Sequence, residues 1–547
     1  MNDLPMRRRW AAAVLAALVA LPGCNTLISE WVSDGFQVPP ERLRQIERLR
    51  LAARAVDANA AATRPTTQPA EPPPEVLQLT LEQCRALALA GNLDLKVQLL
   101  SPAIAAESIT EAEAQFEALL AADVSWSKTD TPVSSGLSGS AVESAAVTPS
   151  LRVPLPTGGS VSLDLPASRL MTDNQFSTLN PSYTADLRFG FRQPLLRGAG
   201  FYTNTHAIRV ARWEGKRSEA LAKLEVIRVL AAADRLYWRL YAVRREQEVR
   251  TQERALAEAQ LARARRQVEA GDKAEVEIVR AELGVAERKE ALIVAANEVR
   301  RGERDLKRIL QKPGLPIGSR TVVVPGTQPA IVPYHLDTGR LIELAQANRM
   351  DLLALEFQLA QDASTIDFER NAALPLVSVG YTYNINGLGP TRNDAFDLMF
   401  DKRFEDHSLG VQVEVPLGNA AARSRVRRAV LQRVQRLATR RQREVLIEQE
   451  VRDAVDQIEA NWQRILASRT RVALAERVLA AELRQFDQGM RTSTEVLEAQ
   501  ASLADARSAE LRALVEYQVA QVDLAVATGT LLGAAKVRWE PSRGDRE

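Results

Sequence analysis

The chain has 547 residues, with 71 Lys and Arg against 69 Asp and Glu, so its formal net charge is only +2. This near balance argues against a nucleic-acid partner, which favours a basic surplus collected on one face. Charged residues make up 26% of the chain and aromatic residues only 5%. Ala, Arg, Glu, Leu and Val dominate its middle and end, which favours long helices over a compact aromatic core.

The N-terminus has the three regions of a secretory signal. Arginines precede a short apolar stretch and a small-residue region in MRRRWAAAVLAALVALPGC. LPGC resembles the lipobox of bacterial lipoproteins, in which the cysteine is acylated and becomes the mature N-terminus. We therefore expect a lipoprotein signal peptide over 1–23 and covalent lipid on Cys24; the alternative is an ordinary signal peptide with an incidental cysteine. Asn25 is not the Asp that retains lipoproteins in the inner membrane.

A linker follows the expected anchor. TRPTTQPAEPPPE, residues 63–75, is proline-rich and predicts an extended spacer. A short helical pattern over about 39–60 precedes it, so 24–75 is expected to hold the anchor, this helix and the linker. The ordered body begins near residue 76.

From residue 76 onwards the chain looks duplicated. LALAGNLDLKVQLL is echoed by ELAQANRMDLLALEF, and each predicts a helix that runs into a segment of alternating polarity. We expect a first repeat over 76–312 and a second over 336–533. The Pro/Gly-rich stretch 313–335 links them, and 534–547 forms a C-terminal tail.

Each repeat also contains two long helical patterns joined at a glycine. RQVEAGDKAEVEIVRAE surrounds Gly271, and RQFDQGMRTSTEVLEAQ surrounds Gly489. The segment 420–486 alone would extend about 100 Å at about 1.5 Å per residue. Its residues Val451, Val455, Ile458, Trp462 and Ile465 have the spacing of a coiled-coil seam. The expected helices are 202–268 and 273–311 in the first repeat, and 420–486 and 492–532 in the second.

Four segments alternate between apolar and polar residues, the period of a strand with one apolar face. In SYTADLRFGFR, for example, Tyr183, Leu187 and Phe191 share one side. The other three are within 119–128, 377–386 and 408–415. A soluble sandwich produces the same pattern, so a single strand is weak support for a membrane location.

The count of strands bears on assembly. No apolar span of 20 residues suggests a membrane helix, so a chain of this kind that crosses a bilayer must form a closed barrel. Four strands cannot close one, because known spanning barrels start at about eight. Two copies would give eight strands, and three would give 12 with room for a water-filled lumen. We interpret 147–166 as an additional hairpin that extends an extracellular loop.

The ordered set of motifs resembles the TolC-type outer-membrane efflux proteins from about residue 76 to the end. FDQGMRTSTEVLEAQASLADARSAELRALVEYQVAQVDLAVATGTLL is similar to their C-terminal signature, and RFGFRQPLLRGAG to their strand-to-helix junction. AALPLVSVGYTYN is similar to the start of the second-repeat strand. The resemblance implies an α+β, mostly α fold. Long antiparallel coiled-coil helices would form a periplasmic α-barrel, and each chain would give four strands to a trimeric 12-stranded transmembrane β-barrel.

The resemblance implies that Gly271 and Gly489 are the periplasmic tips of the helical hairpins and contact an adaptor. Glu495 and Glu498 lie three residues apart on one helix face and would ring the closed aperture as a gate that attracts cations. The alternative is two solvated acids that improve a helix N-terminus.

The family also latches its tips, and the residues carry over by position. Arg491 stands two residues after the second glycine, where an arginine pairs with an acid of the neighbouring hairpin; that acid maps onto Glu277. Phe486 occupies the place of an aromatic residue that usually supplies a phenolic hydroxyl. Since Phe486 has no hydroxyl, the latch is expected to be weaker or built otherwise.

These expectations combine into a homotrimeric, lipid-anchored channel of the bacterial outer membrane that extends into the periplasm. It would serve as the passive duct of a tripartite efflux or secretion system, with a periplasmic adaptor (membrane fusion) protein and an inner-membrane RND or ABC transporter as partners. The alternative is a periplasmic coiled-coil scaffold lipoprotein without a pore. No enzyme, metal or other cofactor is expected, since no catalytic set or nucleotide-binding loop is found and the three histidines lack ligand spacing. Cys84 is predicted to be a buried thiol.

Overall fold

The structure is a computed structural model that describes residues 75–134, 139–271 and 273–538. The expected signal peptide, Cys24 and the predicted helix over 39–60 lie outside these residues. Most of the described chain is helical, with one large sheet, so the predicted mostly-α class is confirmed. Within the described ranges, no helix is both long enough and apolar enough to span a membrane.

Eleven helices are assigned within the described ranges. In chain order they are α1 (Leu81–Gly91), α2 (Leu93–Ala114), α3 (Phe201–Asn204), α4 (His206–Glu269), α5 (Val276–Leu310), α6 (Thr338–Asn348), α7 (Met350–Ala372), α8 (Arg392–Phe400), α9 (Ala420–Asp487), α10 (Ser493–Ala527) and α11 (Leu531–Ala534). The predicted long helices are thus α4, α5, α9 and α10. At 68 residues, α9 extends about 100 Å at about 1.5 Å per residue.

The strands form two sheets. They are β1 (Val76–Leu79), β2 (Leu119–Asp130), β3 (Ala141–Pro154), β4 (Ser160–Asp164), β5 (Ala167–Thr172), β6 (Ser182–Pro194), β7 (Val322–Pro325), β8 (Leu376–Gly389) and β9 (Glu405–Glu414). β1 and β7 pair in parallel as a small sheet, and the other seven form one large sheet.

The element order confirms the predicted internal duplication. A short strand, two helices, an ascending and a descending strand, and two long helices occur twice along the chain. The short helices begin with side-chain caps: Thr80 and Gln83 form a capping box, and Asp337 accepts from the backbone N–H of Arg340. The short strand of the second unit, β7, lies within the stretch 313–335 that the sequence predicts as a linker, and it pairs in parallel with β1.

The helices pack in a consistent lateral order. Next to the sheet the order is α2, α4, α7, α9; towards the glycine turns it is α5, α4, α10, α9. Val451, Val455, Ile458 and Ile465 of α9 are buried and Trp462 is partly buried against the same cluster, so the predicted coiled-coil seam is confirmed. Each level of the helical layer is therefore four helices wide.

A buried ion pair fixes α1 against α4. Asp234 is fully buried and accepts two hydrogen bonds from Arg85, at 2.8 Å from Nε and 2.7 Å from Nη2. The adjacent Cys84 is also fully buried, as predicted. Burial, and then the charge of Asp234, raises the pKa of the Cys84 thiol to about 12. This thiol is therefore protonated at neutral pH.

The large sheet corrects one prediction. All four predicted strands are present, as β2, β6, β8 and β9, but β2 and β6 are not neighbours. The hairpin over 147–166 is formed by β3 and β4 and lies between them as part of the sheet, whereas the sequence predicts it only as an extension of a loop. β3 pairs with β2 along its whole length, from Leu119 opposite Arg152 to Asp130 opposite Ala141. The extra strands pair with one edge of β2 and with the edge of β6 that faces away from β8.

β4 and β5 are two parts of one strand. Asp164 lies opposite Ser150 of β3 and Ala167 opposite Val147, so a single register continues through the gap. Inside the gap, the Leu165 N–H donates to the Pro149 carbonyl at 2.9 Å. The sheet therefore has six strand positions, in the order β2, β3, β4/β5, β6, β8, β9, and not the predicted four.

Candidate functional site

Both predicted glycine turns are present at the ends of the long helices. Gly271 has φ +82° and Gly489 has φ +77°, in the left-handed region that favours glycine. The Met490 N–H donates to the Gln485 carbonyl at 3.0 Å, the six-residue closure of a Schellman motif. An added Cβ at either glycine would meet no atom within 4 Å, so backbone conformation and not space requires glycine here. We call the α4–α5 turn the first tip and the α9–α10 turn the second tip.

The first tip caps the helix that follows the second tip. Glu277 is buried, and its Oε2 accepts a hydrogen bond from the backbone N–H of Ser493 at 2.9 Å. Its Oε1 accepts from Arg280 at 2.6 Å. Burial opposes the charged form of Glu277, but the hydrogen bonds from Ser493 and Arg280 outweigh it and lower the pKa. A carboxylate at a helix N-terminus is electrostatically favoured, so Glu277 ties the two hairpins together.

A second contact between the tips involves a lysine. Lys273 Nζ donates to the backbone carbonyl of Arg491 at 3.0 Å and lies 4.9 Å from the ring centroid of Phe486. Phe486 is fully buried. The aromatic position that lacks a hydroxyl is therefore used through its ring face, as a cation–π partner.

The side chain of Arg491 forms its contacts within its own hairpin. Its Nη1 lies 2.5 Å from Glu495, and its Nε lies 3.2 Å from Glu482 and 2.9 Å from the Gln485 side-chain oxygen. The structure brings Arg491 and Glu277 to the same pair of tips but gives them different partners. Within this chain the predicted ion pair between them is not formed.

The two acids of the predicted gate differ. Glu495 completes a capping box, since its Oε2 accepts from the Thr492 N–H at 2.7 Å. This bond, followed by that from Arg491, lowers the pKa of Glu495. Glu498 is exposed and makes no hydrogen bond or ion pair with the described residues. Of the two carboxylates, Glu498 is the one free to meet a solute.

Sequence reasoning missed Lys273 and Ser493. Lys273 stands two residues after its turn glycine, as Arg491 does, and Glu277 stands six after, as Glu495 does. Superimposing the repeats at their glycines would have singled out both first-tip residues. Within residues 75–134, 139–271 and 273–538, no group of three or more His, Cys, Asp or Glu side chains is arranged to hold a metal ion.

A sheet joined to a long helical layer with paired tips is the architecture of solved outer-membrane channels. The CmeC outer membrane channel of Campylobacter jejuni is 14% identical over 82% of this chain and 86% of that chain, with a TM-score of 0.62. VceC of Vibrio cholerae is 16% identical over 82% of this chain and 96% of that chain, at 0.60. The open MtrE channel of Neisseria gonorrhoeae is 15% identical over 82% and 89%, at 0.56. At these identities, the likeness establishes the fold.

The second repeat matches a known family model. Residues 341–530 match the family model described as "Outer membrane efflux protein". A search of curated proteins finds no match. The match over these residues and the likeness of the fold to solved channels both agree with the resemblance to the TolC-type outer-membrane efflux proteins found in the sequence.

Proposed function

We propose that the chain is one subunit of a homotrimeric channel in the bacterial outer membrane, which serves as the passive duct of a tripartite efflux or secretion system. The observation that carries this proposal is the large sheet, which has an exposed apolar face and two unpaired edges. Val124 and Trp126 of β2 are 75% and 66% exposed, and Leu409 and Val411 of β9 are 74% and 65% exposed. An apolar face of this extent fits contact with lipid.

The opposite face of the sheet fits a wet lumen. It is lined by Ser150, Ser162 and Thr382 around a cavity of about 650 Å³. Polar residues inside and apolar residues outside are the arrangement of a transmembrane β-barrel. The two faces therefore support a barrel with water on the concave side and lipid on the other.

The edges of the sheet support assembly with further copies of the chain. β2 and β9 are the terminal strands, and every residue of both is exposed. Unpaired strand edges are rare in isolation because they invite pairing, and head-to-tail pairing of two unlike edges closes a ring. The family resemblance favours three copies.

The helices then form a periplasmic tunnel whose tips meet the partners. A periplasmic adaptor docks near Gly271 and Gly489, and an inner-membrane RND or ABC transporter supplies the energy. Opening of the aperture separates charged and aromatic contacts at the tips, and three copies of Glu495 and Glu498 give the closed aperture its preference for cations. Lipid on Cys24 adds a second attachment to the outer membrane.

Export without the lipid anchor tests this function against the pore-free scaffold. The chain from residue 25 onward would be exported behind an ordinary signal peptide, and membranes would be washed with carbonate. We expect it to remain in the outer membrane as a trimer whose gel band shifts on heating. Release into the soluble periplasmic fraction would support the scaffold, because a scaffold reaches the membrane only through Cys24.

A further inference from the structure

We propose that β3, β4 and β5 are part of the membrane-spanning wall, so that three chains close a barrel of 18 strands and not 12. This inference rests on the proposed trimer. Each chain supplies six strand positions, and three times six is 18. The inserted hairpin would then contact lipid on one face and the lumen on the other, as its neighbours do.

The alternation of apolar and polar residues in β3 is the first observation that supports a place in the membrane-spanning wall. Residues 145–153 of β3 place Val147, Leu151 and Val153 on one face, and Thr148, Ser150 and Arg152 on the other. Nine residues match the length of a tilted transmembrane strand, about 9–11 residues. An external flap in water would not need an apolar row of this length.

The registers make the apolar face continuous across the insertion. Leu151 of β3 lies opposite Leu163 of β4, which lies opposite Phe189 of β6, which lies opposite Tyr383 of β8. Leu151, Leu163 and Phe189 are 36%, 43% and 37% exposed. The hairpin therefore extends the same face that carries the predicted strands.

The polar face is continuous as well. Ser150 and Arg152 of β3 and Ser162 of β4 line one cavity together with Thr382 of β8 and Gln412 of β9. A hairpin folded away from the wall would not share a concave surface with the last strand of the sheet. Both faces thus place the insertion within one curved wall.

Widths support the same conclusion. Four helices about 9 Å apart cover an arc of about 36 Å. Six strands about 4.8 Å apart and tilted by about 40° cover about 38 Å, whereas four cover about 25 Å. With these general spacings, six strand positions give a width close to that of four helices, for any number of copies. A closed 18-stranded barrel would be about 36 Å across, against about 24 Å for 12 strands. Such a barrel admits bulkier solutes and leaves the tips as the narrowest point.

Spin labels on single cysteines in the full-length channel, reconstituted into liposomes, test the placement. Labels at Val147 and Leu163 should be relaxed by oxygen as strongly as a label at Val411, the outer-face control. Labels at Ser150 and Ser162 should respond to a water-soluble nickel chelate like one at Thr382, the inner-face control.

Loss of oxygen contact at Val147 and Leu163, with Val411 still in lipid, would overturn the inference and leave the proposed channel intact. A label at Val411 outside lipid would instead overturn the proposed function, and the inference with it.

A deletion gives an independent measurement. Ser140 Oγ donates to Asp173 at 2.7 Å, so removing 141–172 joins two residues that are already in contact. Top views by electron cryo-microscopy should show the barrel of the deletion variant narrowed by about a third relative to the full chain. Equal diameters would contradict the inference. If the variant does not assemble, the strand number in the full-length trimer decides between 18 and 12.

Discussion

Lys273 and Arg491 stand two residues after their respective turn glycines, and the side chain of the first binds the backbone of the second. The Lys273 ammonium donates to the Arg491 carbonyl at 3.0 Å and faces the Phe486 ring at 4.9 Å. Equivalent positions of the two repeats have therefore taken unlike roles. The first tip supplies side chains to the second, and the second closes on itself through Arg491 and Glu495.

Replacing Lys273 should favour the open aperture. The Lys273→Met variant keeps much of the side-chain length but loses both the hydrogen bond and the cation–π contact. Together these contribute about 1–3 kcal/mol, so the open fraction should rise by about fivefold or more. Single-channel recording in planar bilayers measures this, with Lys289→Met, an exposed lysine of α5, as the control. An unchanged open probability would show that Lys273 does not hold the tips together.

Glu277 should be more sensitive to truncation than to neutralisation. Glu277→Gln can still accept from the Ser493 N–H, whereas Glu277→Ala leaves a buried donor without a partner, at a cost of about 1–3 kcal/mol. Limited trypsin digestion at the tips should therefore accelerate in the order wild type, Gln, Ala. Glu275→Gln, an exposed acid on the same turn, should digest like wild type. Equal rates for the Gln and Ala variants would contradict the role given to the Ser493 hydrogen bond.

Variants at Arg491 and Glu498 should distinguish the opening of the aperture from its preference for cations. Arg491→Ser frees Glu482 and Glu495 from their shared cation, so we expect both a larger current and a stronger preference for cations. Glu498→Gln removes the acid without partners and should reduce cation preference while the open probability stays the same. Reversal potentials in a salt gradient measure the preference. If Glu498→Gln leaves the reversal potential unchanged, Glu498 is only a solvated helix-end acid.

Acid should weaken the junction between α6 and α7. Asp351 is half-buried, which disfavours its charge, but its bonds to Arg349 and then Arg443 prevail and lower its pKa to about 2. A lowered folded-state pKa stabilises the protein above the unfolded value of about 3.9, and this contribution is lost as the pH falls towards 2. The melting temperature of the trimer should thus exceed that of Asp351→Asn at pH 7, and the difference should shrink near pH 2–3. A difference that does not depend on pH would exclude this ion pair as its cause.

The period of the apolar residues in the sequence was sufficient to predict the long helices and the strands β2, β6, β8 and β9. The inserted strands were harder to recognise because Pro149 and Pro154 interrupt β3, and proline argues against a central strand. Pro149 is tolerated because its carbonyl, which is intact, accepts from Leu165. At the tips, the resemblance to the family located Glu277 and Phe486, but only coordinates could show that Ser493 and Lys273 are their partners.

The unequal tips have a mechanical consequence for a closed ring of three chains. Lys273 and Glu277 bind the second tip of their own chain, so the seam between neighbouring chains must be held by other groups. In the closed ring the six tips would thus be held as three pairs, and full opening would also have to break the Lys273 contacts within each pair. Opening of the aperture would begin at the three interfaces between subunits, and the aperture would widen with threefold symmetry.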